Sequence, residues 1–183
     1  MKNINSFCLF LLILIIVYPL HAQSSNNAAK EPSFSSDFMM EIDAARDKIL
    51  ALAEAFPQDK YGWRPSDEVR SVSEVFMHVA GANYFLLSFA GEKLPDGFKP
   101  DMEKTVTKKE DVIKFVKDSY ENLKNYMSAL DIKTLDDQLK YFGTTGSKRH
   151  LLFILLDHNH EHLGQAIAYA RMNGITPPWS VKQ

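Results

Sequence analysis

The sequence predicts an all-α fold, a four-helix bundle with long inter-helix loops. Three observations carry that prediction: four long stretches with apolar residues three and four apart, start and stop signals bracketing them, and almost nothing that alternates as a strand does. The first stretch runs from about Asp37 to Phe56, with Met40, Ala44, Ile49, Leu52 and Phe56 on one face, and Pro57 ends it. "PQDKYGWRPSDEVR" is a loop punctuated by Pro57, Gly62 and Pro65. The second helix opens at "SVSE", where Ser71 and Glu74 have capping-box spacing, and continues to about Ala90. "GEKLPDGFKPDMEK" reads as a loop. "TKKE" repeats the capping spacing with Thr107 and Glu110, and a third helix follows to about Leu130 with Val112, Phe115, Val116, Tyr120, Leu123 and Met127 inward. The linker "DIKTLDDQLKYFGTTG" has room for a short extended piece at Lys140 to Phe142. The fourth helix starts near Ser147 and runs to about Asn173, stopping at Gly174 ahead of Pro177 and Pro178.

Ahead of the bundle, residues 1–22 read as a secretory signal. Lys2 precedes an apolar run of 14 residues, Phe7 to Leu20, and Ala22 offers a small residue for cleavage. The run is shorter than the roughly 20 residues of a membrane-spanning helix. The expected location is therefore periplasmic or secreted. The alternative is an uncleaved N-terminal membrane anchor, because Leu20 at the −3 position is larger than a signal peptidase prefers. Membrane contact is expected only in that case. Residues 23–36 read as a flexible leader, and residues 37–183 as the bundle domain. Losing residues 1–22 removes one basic residue, Lys2, and leaves 20 basic against 23 acidic side chains, a net of −3. A weakly acidic domain without a basic stripe gives no reason to expect a nucleic-acid partner. The single cysteine, Cys8, leaves with the signal, so any metal site must be built from His, Asp and Glu.

The densest chemistry lies in "LLDHNHEHLGQ". "HNHEH" matches H-x-x-E-H, the inverted zinc-protease motif, but that reading needs an acidic ligand downstream. The 21 residues after His162 contain neither Asp nor Glu. Helical geometry puts Leu151, Leu155, His158, His162, Gln165 and Tyr169 on one stripe, with His160 pointing away. Imidazoles one turn apart can converge on a single ion. On the second helix His78 shares a stripe with Val75, Ala82, Phe85 and Phe89. Two facing helices can thus supply three neutral nitrogens and leave a position open. The competing reading makes these histidines hydrogen-bonded core residues. Glu161 is the one catalytic candidate, either beside the metal as a proton carrier or on the solvated edge of its helix with Asp157. Glu74 is either a cap or a partner to His78. Trp63 and Tyr141 lie in loops that border the opening or anchor themselves. "LLFILL" makes the fourth helix apolar around much of its circumference, as expected of a central helix or a homodimer interface.

Two segments resemble the DinB-like superfamily of metal-binding helical bundles. "FPQDKYGWRPSDEVRSVSEVFMHVAGANYFL" resembles its W-x-P loop and the helix carrying its first histidine. "LLFILLDHNHEHLGQAIAYARMNGITPPWS" resembles its last helix, with H-x-x-x-H, G-Q and a closing G-I-x-P-P. The resemblance implies a divalent-metal site on His78, His158 and His162; for such a site Zn²⁺ or Ni²⁺ is expected, its open position activating a thiol or a water in a transferase or hydrolase. It also implies a fold in which some members are transferases activating a low-molecular-weight thiol such as bacillithiol or mycothiol on an unidentified small-molecule substrate. Export away from the cytoplasmic thiol pool argues against an anionic thiol cofactor here. So does the lack of an Arg/Lys cluster near the ligands, Lys148 and Arg149 being the nearest by sequence. The alternative is a non-catalytic metal-binding or purely structural bundle.

Overall fold

The computed structural model describes residues 33–180; the signal sequence and most of the leader expected from the sequence lie outside the described residues. Helix α1 spans Phe34–Ala55, α2 Val72–Phe89, the short α3 Met102–Thr105, α4 Lys109–Ala129 and α5 Lys148–Met172. An antiparallel hairpin, β1 Gln138–Tyr141 and β2 Thr144–Ser147, precedes α5. Helix α2 packs on α4 and α5, and α1 on α5 and α4, so the long helices lie in ring order α1, α4, α2, α5. Helices α1 and α2 are therefore diagonal, as are α4 and α5. A diagonal step must cross the end of the bundle, which is why residues 56–71 and 130–147 are long. None of the described helices is long and apolar enough to cross a membrane.

Helix α1 begins at Phe34, ahead of the expected Asp37, because Ser33 and Ser36 form a reciprocal capping box. Its buried face is Phe38, Ile42, Ala45, Ile49 and Leu52, alternating four and three apart. Met40 and Ala44 fall out of phase with that stripe and are exposed, contrary to expectation. Phe56 is extended, as a residue before proline must be, and is fully buried. The Tyr61 hydroxyl donates to the Ala53 carbonyl at 2.7 Å and anchors the crossing loop inside the core.

The capping box at Ser71 and Glu74 forms as the spacing predicts. The one expected at Thr107 and Glu110 does not. Helix α4 starts later, and Gln58 caps it from the crossing loop, its Oε1 accepting from the Lys109 N–H at 2.7 Å. Tertiary structure has supplied the acceptor that local sequence would otherwise provide. The loop preceding α4 also contains α3, a turn of helix that no periodicity announces.

The expected extended piece is one arm of the hairpin. Its two-residue turn places Phe142 at φ +51° and Gly143 at φ +74°, the pattern of a type I′ turn. At Gly146 a Cβ would stand 1.9 Å from the Tyr141 hydroxyl, which in turn bonds His150 Nδ1 at 2.7 Å. Tyr141 is buried and has nowhere to move. Gly146→Ala is therefore expected to cost about 1–3 kcal/mol, as overpacking does, with loss of the Tyr141–His150 bond. Urea unfolding of the variant checks this, and an unchanged midpoint would contradict it.

A buried polar chain links α4, α5 and α2. Tyr120 donates to Asn159 Oδ1 at 2.6 Å, Asn159 Nδ2 donates to Asn83 Oδ1 at 2.9 Å, and Asn83 Nδ2 donates to Ser119 Oγ at 3.2 Å. Burial pushes the Tyr120 phenol pKa up, which keeps it a donor.

Candidate metal centre

Helices α2 and α5 are neighbours in the ring, and they bring His78, His158 and His162 together. One ligand atom from each lies within 4.8 Å of the others. The ring centroids are 4.9 Å apart for His78 and His158, 4.7 Å for His78 and His162, and 4.5 Å for His158 and His162. All three residues expected to ligate are thus in one cluster.

Their tautomers follow from the outer partners. His78 Nδ1–H donates to Glu103 Oε2 at 2.8 Å, which leaves the Nε2 lone pair facing the cluster. On the other helix, the Tyr169 hydroxyl donates to the Arg70 carbonyl at 3.0 Å and so accepts from Gln165 Nε2 at 3.1 Å. That orients Gln165 Oε1 toward His162, whose Nδ1–H donates to it at 2.8 Å. The His162 Nε2 lone pair is thereby freed as well. Arg70 Nε donates to Glu103 Oε1 at 2.7 Å, so one hydrogen-bonded chain links His78, Glu103, Arg70, Tyr169, Gln165 and His162.

His158 is different. Its Nε2 faces His78 Nε2 at 3.0 Å, while its buried Nδ1 has no hydrogen-bond partner. Buried polar nitrogens ordinarily have one, and His158 is the member of the cluster without an outer partner. Burial, with the His162 and His78 imidazoles beside it, holds the His158 pKa down at about 3. Burial also lowers that of His78, with Glu103 pulling the other way. Both rings are therefore neutral at pH 7, the form that binds metal. Three imidazoles, those of His78 and His162 with their lone pairs already set, form a donor set for a borderline divalent cation.

Glu103 is the member of the candidate site that sequence reasoning missed. It sits on the one-turn α3, twenty-five residues beyond His78, and nothing in the local pattern marks it. Glu161 is exposed and hydrogen-bonds to none of the three histidines. Glu74 is a cap: its carboxylate accepts from the Ser71 N–H at 2.8 Å and pairs with Arg64 at 2.9 Å. His160 is exposed and bonds the Leu156 carbonyl, as its position on the helix predicts. Lys148 bonds Thr134, and Arg149 pairs with Asp136, so neither serves the cluster. Trp63 packs edge-on against Tyr169 at 5.3 Å, anchoring its own loop. Tyr141 is buried, and Phe142 takes the place at the opening.

That opening is a cavity of about 440 Å³ between α2, α5, the α2–α3 loop and the hairpin tip. His78, His158 and Glu103 line it, and the rest of its wall is mostly apolar. His162 is not among the lining residues and is buried.

The geometry defines a class: a helical bundle with three histidines close enough together to hold one divalent cation, beside an open cavity. The chain belongs to the DinB superfamily, whose family model matches residues 41–166. Its fold is similar to the crystal structure of a DinB-like protein from Bacillus cereus, with TM-score 0.70, 18% identity and coverage of 80% of this chain and 97% of that one. A conserved protein from Enterococcus faecalis is similar at TM-score 0.62 and 15% identity, covering 77% and 97%. A DinB-like protein from Bacillus subtilis is similar at TM-score 0.61 and 19% identity, covering 76% and 93%. No curated protein matches the sequence.

Proposed function

We propose that this chain is an exported protein that holds one divalent cation, Zn²⁺ or Ni²⁺, on His78, His158 and His162, and uses it in a transfer or hydrolysis reaction on a small molecule. The observation that carries the reading is the convergence of three imidazoles whose outer nitrogens, on His78 and His162, are already engaged by Glu103 and Gln165. Bound there, the ion would lower the pKa of a thiol or a water and present the anion to an electrophile. The chain's own residues hold that arrangement. Glu103 keeps the proton on His78 Nδ1, Gln165 keeps it on His162 Nδ1, and Arg70 ties both supports together. Three protein ligands leave a coordination position open, and the adjoining cavity favours turnover over simple metal capture. Export rests on the charged, apolar and small-residue order of residues 1–22.

The test is metal stoichiometry of the purified protein beside His158→Ala/His162→Ala. About one ion per chain is expected at neutral pH, as one three-ligand site requires, and the double variant should lose it while keeping its helical signal. A native protein that takes up no divalent ion overturns the proposal. The intact mass of protein recovered from its producing cell reports signal cleavage: a chain beginning at Gln23 supports release after export, and one retaining Met1 overturns it in favour of an uncleaved segment.

A further inference from the structure

The walls of the cavity say what it takes. Along α2, Gly81 and Ala82 follow His78 and make room where larger side chains would close it. An ideal Cβ on Gly81 would meet only Phe98 Cζ, at 4.0 Å, so the space beyond that glycine is open. Two aromatic pairs form the sides: Phe98 stacks on Phe115 at 6.4 Å, and Phe142 leans on Phe85 at 6.2 Å. Phe85 is 44% exposed and Phe142 62% exposed, a large apolar surface to leave facing water beside a cavity.

Phe142 is also the only non-glycine residue with positive φ among the described residues. A left-handed phenylalanine is disfavoured where asparagine or glycine would sit without strain, and such outliers gather at ligand clamps. Its ring spans from the hairpin tip to Phe85 and to Phe89 at 5.3 Å, capping the cavity mouth. At the other end the polar groups are few. His78 and His158 present the metal face, Glu103 is already paired with Arg70, and the exposed Lys99 is the only lysine or arginine in the lining. A polyanion would find no partners here, whereas one negative head group would face the cation and one apolar body would be covered.

We propose that this cavity binds a monoanionic amphiphile, an alkyl or aryl carboxylate or thiol, with its head group at His78 and His158 and its body clasped between Phe98, Phe115, Phe85 and Phe142. This rests on the metal reading above and narrows its substrate class. The volume of about 440 Å³ lies toward the small end of ligand sites.

The experiment is calorimetric titration of the Zn²⁺-loaded protein with hexanoate, octanoate and decanoate, and with the alkanethiols of the same lengths. Affinity is expected to rise about fourfold per added methylene until the cavity is full, the equivalent of about 0.8 kcal/mol per buried CH₂. The tighter of the two arms identifies the head group. Gly81→Leu fills the cavity with a good helix former and should weaken binding at least about tenfold while the ion stays bound. Phe142→Asn restores a favoured hairpin turn and should leave the fold intact while weakening the same ligands. A flat chain-length series, or undiminished binding in Gly81→Leu, overturns the inference. Metal content measured on the same samples separates the two failures. A flat series with the ion present overturns the amphiphile alone, and absence of the ion overturns the reading beneath it. In that event 1-alkanols of the same lengths still read the walls: a chain-length gradient retains the apolar half and a flat one removes it.

Discussion

Glu103→Ala is expected to weaken divalent-ion binding roughly 10–100-fold, the range typical for loss of a partner behind a metal-binding histidine, without unfolding the bundle. The carboxylate accepts from His78 Nδ1 at 2.8 Å and so decides that Nε2 carries the lone pair. Without it, His78 can place its proton on either nitrogen and turn about its χ2, and both freedoms must be given up when an ion binds. The charge contributes too, since an anion behind the ring makes the imidazole a better donor. Glu103→Gln keeps an acceptor and removes the charge, so its affinity should fall between those of the native protein and Glu103→Ala. Glu161→Gln changes an exposed carboxylate with no bond to the cluster and should leave affinity unchanged. Competition with a chromophoric chelator measures all three. Native-like affinity in Glu103→Ala would show that Glu103 does not orient His78. The fold is expected to survive because Glu103 lies at the edge, on a helix of one turn.

The pair on α5 was legible because helical periodicity puts His158 and His162 one turn apart, and His78 was joined to it by its place on an apolar stripe of α2 and by the family resemblance. Glu103 was not, because it arrives through the path of a loop, and no local rule says where a loop returns. The same limit explains the cap of α4. Thr107 and Glu110 have the right spacing, yet Gln58, remote in sequence, supplies the acceptor. In α1 the error was one of phase, since Met40 and Ala44 belong to a neighbouring stripe and only Ile49, Leu52 and Phe56 lie on the true one. On α5 the expected stripe contains His158, but the core centres on Leu155, Asn159 and Leu163. His158 stands at the border between core and cavity, half-buried and lining the cavity wall. The hairpin was half seen. Its turn is Phe-Gly where Asn-Gly would have announced it, and the departure coincides with the residue that caps the cavity.

Asn159→Ala is expected to destabilise the protein by about 3–5 kcal/mol, more than a typical core truncation of that size. Asn159 is fully buried and makes three bonds: it accepts from Tyr120 and donates to Asn83 Oδ1 and the Leu155 carbonyl. Truncation strands the Tyr120 hydroxyl and one lone pair of Asn83, and each buried unsatisfied group costs about 1–3 kcal/mol. The cavity adds its own cost. Equilibrium urea unfolding measures the loss, and a cycle with Asn83→Ala tests its cause: members of one network couple by about 0.5–3 kcal/mol, whereas independent sites add. A loss under about 1 kcal/mol, or strict additivity, would mean that the polar chain is satisfied some other way. The network also bears on the proposed metal centre. Asn159 follows His158 on α5, Asn83 stands on α2 with His78, and Tyr120 reaches in from α4. Bonds that accept only one rotation of α5 against α2 also allow only one placement of His158 against His78. An apolar contact would tolerate a slip that hydrogen-bond geometry does not. Asn159→Ala should therefore weaken ion binding even under conditions where the variant is fully folded, and unchanged ion affinity there would confine the network to stability.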